Sequence, residues 1–392
     1  MKVKGFLKDV TGSDRIMKAR AERVSSGSPI PDPKDPIRAL ADQLHPGPKP
    51  YTLESVTESS PSSKTYRFVP QDGHVPVFQC GQYASFRFHI GDSELTRAYS
   101  ISSAPFEARG ESPFFEVTVK NGPGMFVPDY MEKNLKAGDT VTVDLPFGNF
   151  YYEPLRDTKN IVALAGGSGI TPFASMAKEI AAGKLDVNLS ILYGSRDHTD
   201  ICMKDDLEKA AECDKVKVVH IMSDDPDWEG EKGLISRELI EKYSGNDPTY
   251  FFCGPLVMYN FVKKALDDMG VEFRRFQHDA IGQPKNVKLI PGFPEENVGK
   301  TYQITVMRGL HEDVIPAAGD EPVAVALERA GLKIDTHCRA GECGFCRSQL
   351  LSGDIFVSPL GDGRREMDKE LGWFHACSAW PLSDLKIKIP IL

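Results

Sequence analysis

Cys338, Cys343 and Cys346 crowd one short segment, Cys338-Arg-Ala-Gly-Glu-Cys343-Gly-Phe-Cys346, and Cys377 follows farther along. Eight cysteines in 392 residues are too few for a disulfide scaffold, and Cys80, Cys202, Cys213 and Cys253 are scattered. Tight spacing in a reducing compartment points to metal binding before disulfides. C-x4-C-x2-C with a distant fourth cysteine is the spacing that holds a 2Fe–2S cluster. A zinc site would pair two C-x2-C knuckles, and only one short knuckle is present. Four thiolates and two sulfides around two ferric ions leave net negative charge in a dry pocket. Backbone N–H groups must turn inward to stabilise it, and Gly341 and Gly344 permit the torsions this needs. The metal ligands are therefore read as Cys338, Cys343, Cys346 and Cys377. Such a cluster has no open coordination position, so it carries single electrons and does no bond chemistry.

The rest of the composition limits what can surround this site. A length of 392 residues predicts two to three domains. Lys and Arg total 47 against 56 Asp and Glu, a net charge of −9, which argues against a nucleic-acid binder. No run of 18 apolar residues occurs, so no membrane insertion is expected. The N-terminus has neither the apolar run of a secretory signal nor the acid-poor composition of a transit peptide, and the expected location is cytoplasmic.

Five segments can be read along the chain. Residues 1–50 form an extension, with seven Lys/Arg against three Asp/Glu in the first 24. Ser25 to Pro36 reads as a loop. A short helix is expected from Pro36 to about Leu44, with Asp35 as its N-cap and Ile37, Leu40 and Leu44 as an apolar stripe that would strap it to the next domain. Residues 51–157 show short alternating runs such as KTYRFVP, QYASFRFHI and DTVTVDL, the pattern of an antiparallel β-barrel. Residues 158–282 alternate apolar strands (IVALAG, NLSILYGSR, TYFFCGP) with helices, which indicates a doubly wound parallel α/β sheet. Residues 283–300 read as a linker. Residues 301–392 hold strands, one helix and the cysteine loop.

IVALAGGSGITP runs from a buried strand through Gly166, Gly167, Ser168 and Gly169 to Thr171 and Pro172, and then into a helix. Glycines let the backbone approach a pyrophosphate, and Pro172 suits a first helical turn. Cys253-Gly254-Pro255 ends a later strand, at the carboxyl edge where such sheets bind ligands. After the second strand, Ser195 and Arg196 could hold a 2′-phosphate, whereas Asp197 could accept from a free 2′-hydroxyl. Both NADH and NADPH stay open.

Arg97-Ala98-Tyr99-Ser100 is unremarkable alone. In the order R-x-Y-S, GGxGxTP, CGP, these motifs resemble those of the ferredoxin–NADP reductase-like flavoproteins. With the plant-type ferredoxin spacing at the C-terminus, the layout is similar to the phthalate dioxygenase reductase and hybrid cluster protein reductase branch. The resemblance covers residues 51–392. It implies a flavin barrel, a nicotinamide domain and an α+β β-grasp ferredoxin domain. By motif, Arg97 would pair with the flavin phosphate, and Ala98 lies between it and Tyr99, which would stack on the isoalloxazine. Ser100 would hydrogen-bond near N5. Thr118, Val119 and Lys120 would line the flavin edge, and the Gly124-Met125-Phe126-Val127 turn would offer amides to a phosphate. Cys253 would face the nicotinamide and, with Ser100, form the catalytic pair. Where the family has Ser or Thr, this chain has Pro128, which lacks both hydroxyl and N–H. The implied flavin is FAD, with FMN as the alternative.

The implied activity is an NAD(P)H-dependent oxidoreductase. Hydride passes to flavin, and single electrons then pass through one 2Fe–2S cluster to a separate metalloprotein acceptor of the oxygenase or hybrid-cluster type. The alternative is a non-catalytic electron-transfer subunit of a larger complex. Arg339 and Arg347, with Glu342 between them, are expected to flank the exit surface and orient the acceptor. His278 reads as a structural histidine near a domain seam.

Overall fold

The computed structural model describes residues 6–27, 35–284 and 286–390. The chain divides into two compact units, residues 1–46 and 47–392.

The first unit holds two helices, Phe6–Ser26 and Pro36–Leu44. In the second of these, Asp35 accepts from the amides of Ile37 (3.0 Å) and Arg38 (3.2 Å), satisfying two of the donors every helix start leaves unpaired. None of its residues is buried, and Ile37 and Leu40 of its apolar stripe are exposed. The longer helix was not expected. Its sequence has no sustained apolar period, but MKARAER is rich in strong helix formers. It runs through Ser25, where a loop was expected to begin; residues 28–34 of that loop lie outside the described residues.

The second unit opens with a six-stranded antiparallel sheet. Its order is Ser93–Ser100, Tyr83–Ile90, Thr140–Phe147, Lys49–Ser60, Ser63–Pro70, Phe115–Lys120. An antiparallel bridge from Ile101 to Val117 joins the two outer strands and closes the barrel. Strand periodicity sends Ala84, Phe86 and Phe88 inward. They meet a ring cluster in which Tyr51 and Phe115 stand edge to face at 5.0 Å and Phe68 and Phe115 stack at 5.5 Å.

A six-stranded parallel sheet follows, in the order Glu231–Lys232, Val216–Met222, Asn188–Ser195, Asn160–Gly166, Pro248–Pro255, Phe276–Ile281. The chain winds outward from Asn160–Gly166 in one direction, then returns to build the other half from Pro248–Pro255. The topological switch point therefore lies between the carboxyl ends of these two strands, the crevice where open α/β sheets bind ligands. The two edge strands, Glu231–Lys232 and Phe276–Ile281, are those the apolar pattern did not reveal. The barrel and this sheet are fastened together at Asp200, which accepts from Ser60 Oγ (2.6 Å), Ser62 Oγ (2.6 Å), Ser62 N (3.1 Å) and Lys120 Nζ (2.9 Å).

The C-terminal region is a five-stranded mixed sheet, ordered His311–Ala318, Thr301–Arg308, Leu385–Lys388, Arg347–Ser352, Trp373–His375, with the helix Val323–Arg329 across it. The segment read as a linker is packed down rather than loose. Val287, Ile290 and Phe293 are buried against Trp380. Asn297 donates to the carbonyls of Gly319 (2.7 Å) and Pro381 (2.8 Å) and accepts from Tyr302 Oη (2.6 Å).

Candidate active site where three sheets meet

The glycine turn and the Cys253 strand end touch backbone to backbone. A Cβ on Gly169 would lie 2.1 Å from the Cys253 carbonyl oxygen, and one on Gly166 would lie 2.4 Å from Met258 Sδ. Gly167 instead adopts φ +54° with open space beyond it. The helix Thr171–Ala181 starts directly after the turn, with Pro172 in its first turn. Its first amides and dipole favour an anion at that point. Cys253 is buried, which pushes its thiol well above the usual range. At the end of the second strand, Ser195 is buried while Arg196 is exposed. Asp197 accepts from the Thr199 amide at 2.9 Å and from its hydroxyl, and these hydrogen bonds hold its carboxyl below the usual range.

In the barrel, Arg97, Ala98, Tyr99 and Ser100 end the strand Ser93–Ser100, with Ser100 paired to Tyr83 and Tyr99 to Ala84. The Tyr99 ring stands edge to face on Phe86 at 5.6 Å, and its hydroxyl is enclosed without a partner. Arg97 reaches the C-terminal module, donating to Glu328 Oε1 at 2.9 Å. Val119 turns its side chain into the barrel core, whereas Thr118 faces the opposite side of the strand, where its Oγ1 meets Thr65 and Ser102 at 2.8 and 3.0 Å. Lys120 is held by Asp200. Gly124, at φ +74°, turns the chain into the helix Phe126–Asn134. Met125 is its N-cap and gives no side-chain hydrogen bond; Val127 is buried, and Pro128 lies in the first turn.

The four C-terminal cysteines converge. The amides of Ala340 and Cys343 both donate to Cys338 Sγ at 3.4 Å, and Gly341 and Gly344 take φ of +93° and +79°. Hydrogen bonds from Cys343 and Cys377 hold the Cys338 thiol far below its usual range, and Cys377 lowers Cys346. Among the described residues no trio of Cys, His, Asp or Glu is arranged around a single ion. Four thiols with inward amides on glycine-shaped turns suit a cluster larger than one metal ion. Cys343 is exposed, whereas Cys346 and Cys377 are buried.

A chain of rings joins this loop to the barrel. His337, next to Cys338, stacks on Phe345 at 3.7 Å and stands edge to face on Phe147 at 4.8 Å. Its Nδ1 lies 3.5 Å from Tyr83 Oη. Asp279 pairs in register with Cys253, and burial together with the Cys338 charge pushes its carboxyl up to about 7.

Three family matches tile this second unit: the oxidoreductase FAD-binding domain over residues 50–152, the oxidoreductase NAD-binding domain over 163–264, and the 2Fe-2S iron-sulfur cluster binding domain over 311–382. NADH-cytochrome b5 reductase 1 of Dictyostelium discoideum is 30% identical over 216 residues, covering 53% of this chain and 73% of that relative. The chain is a ferredoxin reductase-like flavoprotein with a C-terminal 2Fe–2S domain. The flavoprotein is also 27% identical over 341 residues to the glycine betaine monooxygenase reductase subunit of Pseudomonas aeruginosa, covering 83% of this chain and 90% of the relative. The fold of the solved phthalate dioxygenase reductase overlies it with a TM-score of 0.65 at 20% identity, covering 88% of this chain and 98% of that one. No helix among the described residues is long and apolar enough to cross a membrane.

One expectation for the flavoprotein is overturned. Arg339 does not flank an exit surface, because its φ of +53° turns the side chain inward onto Glu328 (2.7 Å). Arg347 is exposed as expected, over the Trp373 ring and paired with Asp368. His278 packs against Tyr259 at 4.8 Å, and burial lowers its pKa, in keeping with a structural role. Sequence reasoning missed Glu328, Tyr83, Phe147, His337 and Asp279. None of them stands in a motif; only the position of His337 beside Cys338 could have drawn attention to it.

Proposed function

We propose that this flavoprotein is an NADH-dependent reductase that delivers electrons one at a time, through its 2Fe–2S module, to a separate oxygenase component. The observation that carries the reading is the convergence on Tyr83. This residue pairs in register with Ser100 of the flavin motif, and its hydroxyl reaches His337, the neighbour of Cys338.

Bound flavin supplies the conversion from hydride to single electrons, and the cluster takes them singly. The chain's own residues bind and align. The turn Gly166–Gly169, Thr171 and Pro172 holds the nicotinamide dinucleotide's pyrophosphate at the start of its helix. Gly254 and Pro255 would shape the opposite wall, and Cys253 would face the nicotinamide. The enclosed, partnerless hydroxyl of Tyr99 fits a flavin laid along this strand end, which would give it a partner. Ser100 would hydrogen-bond the flavin near the hydride-accepting atom, and Arg97, whose Nη atoms are held by Glu328, would face its phosphate side. Thr118, Val119 and Lys120, on the outer strand of the barrel, would line the flavin edge. The turn Gly124–Val127 serves the flavin's phosphates.

Asp197 favours NADH, since a carboxylate there accepts from a ribose hydroxyl and repels a 2′-phosphate. The eight cysteines are all unpaired, which suits a cytoplasmic setting.

An anaerobic titration of reconstituted protein with NADH tests the reading. Flavin bleaching followed by loss of the cluster's visible absorbance is expected. A cluster that stays oxidised while the flavin is fully reduced overturns it.

A further inference from the structure

The iron–sulfur module meets the barrel along a seam of paired polar groups, and one buried carboxylate lies at its centre. Glu328 sits on the helix Val323–Arg329 with its side chain 4% exposed. Its Oε1 accepts from Arg97 Nη1 at 2.9 Å and from Arg339 Nη1 at 2.7 Å; its Oε2 accepts from the Nη2 of both at 3.3 Å. Arg97 belongs to the barrel and Arg339 to the cysteine loop.

We propose that Glu328 is a positioning residue that docks the iron–sulfur module on the flavin barrel by sharing one carboxylate between Arg97 and Arg339. This rests on the electron-transfer reading above and adds the device that fixes the transfer geometry.

Three observations support it. First, the remainder of the seam is complementary. Ser93 Oγ donates to the Glu328 carbonyl at 2.7 Å, and Thr96 and Thr336 meet through Thr96 Oγ1 to Thr336 O (2.8 Å), Thr336 N to Thr96 Oγ1 (3.1 Å) and Thr336 Oγ1 to Thr96 O (3.2 Å). Second, the surfaces approach closely where the helix ends. Gly331 takes φ +72°, and a Cβ there would lie 3.1 Å from the Asp92 carbonyl oxygen. Third, the charges depend on the carboxylate. Two guanidinium groups face each other in a buried site, and burial together with the Arg339 charge lowers the Arg97 pKa. Without Glu328 the two like charges would repel across the seam and drive the module off. Thr336 precedes His337 and Cys338, so this seam sets how the cysteine loop lies against Tyr83 and Phe147. Arg97 is also the flavin-motif arginine, so the carboxylate that seats the module fixes that guanidinium as well.

The test compares the reconstituted holoenzyme with Glu328→Gln and with Ser93→Ala/Thr96→Val, which loosens the same seam from the barrel side. Stopped-flow absorbance follows flavin reduction and cluster reduction separately, and amide hydrogen exchange maps the seam. In Glu328→Gln, electron arrival at the cluster is expected to slow by at least about tenfold. Exchange should quicken at residues 93–97 and 332–340 but not across the two sheets. If Glu328→Gln fails to assemble a cluster, the barrel double variant carries the test, with the same local exchange and slowed transfer expected. Wild-type transfer rates, or unchanged exchange at the seam, in the variant that assembles overturn the proposal. Failure of the wild-type holoenzyme to pass electrons from flavin to cluster would instead overturn the functional reading.

Discussion

Gly169 lies so close to Cys253 that a single added carbon would sit 2.1 Å from the latter's carbonyl oxygen. The turn that starts one helix and the end of a strand contributed some 80 residues later are thus one surface. Gly169→Ala must push them apart. Overpacking of this kind costs about 1–3 kcal/mol or more, and a displacement of about 1 Å at a reacting centre can cost about a hundredfold in rate. NADH reduction of the flavin, measured by stopped flow, should fall by roughly that factor while the cluster's absorbance is retained. Wild-type reduction would show that the turn takes no part in holding the nicotinamide.

Cys343 differs from its three companions in facing solvent. Replacing it with Ser should abolish cluster assembly, read as loss of bound iron and acid-labile sulfide. Cytochrome c reduction should fall more than tenfold, because the single-electron carrier is gone. Full sulfide content in the variant would remove Cys343 from the ligand set.

Asp200 joins the barrel to the parallel sheet, and its acid dependence follows from its contacts. Burial alone would raise its pKa, but hydrogen bonds from Ser60, Ser62 and Lys120 outweigh this and hold it well below the usual carboxylate range. A group lowered on folding adds stability above its unfolded pKa of about 3.9. That contribution is lost as pH falls from there through the lower folded value. Asp200→Asn should therefore destabilise by about 1.5–3 kcal/mol at pH 7, as expected for hydrogen bonds to a charged group. The difference from wild type should shrink below about pH 4. Denaturant titrations at the two pH values would show it, and an equal penalty at both would contradict the assignment.

Asp197 bears on coenzyme choice. Removing its charge in Asp197→Ser should narrow the preference for NADH over NADPH by roughly tenfold, the scale of one unit charge near a phosphate in a partly solvated site. The ratio of kcat/KM for the two coenzymes measures this. An unchanged ratio would place specificity elsewhere, with Arg196 the next candidate.

The short-range features were readable from the chain alone. The cysteine loop, the glycine turn and the Asp35 cap each lie within a dozen residues, so spacing conveys their geometry. What failed to show depends on distant partners. Glu328 and Arg97 are 231 positions apart, and in VAVALER the glutamate looks like any solvated helix charge. Arg339 was misread because nothing in its neighbours announces a left-handed backbone at a non-glycine residue, and that torsion is what turns it inward. Thr118 and Lys120 were placed by motif; the barrel's pleat and the Asp200 contact decide where their side chains point.

The packed strap between the second and third sheets has a consequence for how the acceptor is served. With Phe293 seated on Trp380, Asn297 tied to two carbonyls and Glu328 shared between Arg97 and Arg339, residues 286–300 cannot act as a slack leash. A swinging module would sample a cloud of positions and lose effective concentration at its target as reach grows. Here the last carrier stays parked in one place, and it is the incoming acceptor that must travel, orient and leave.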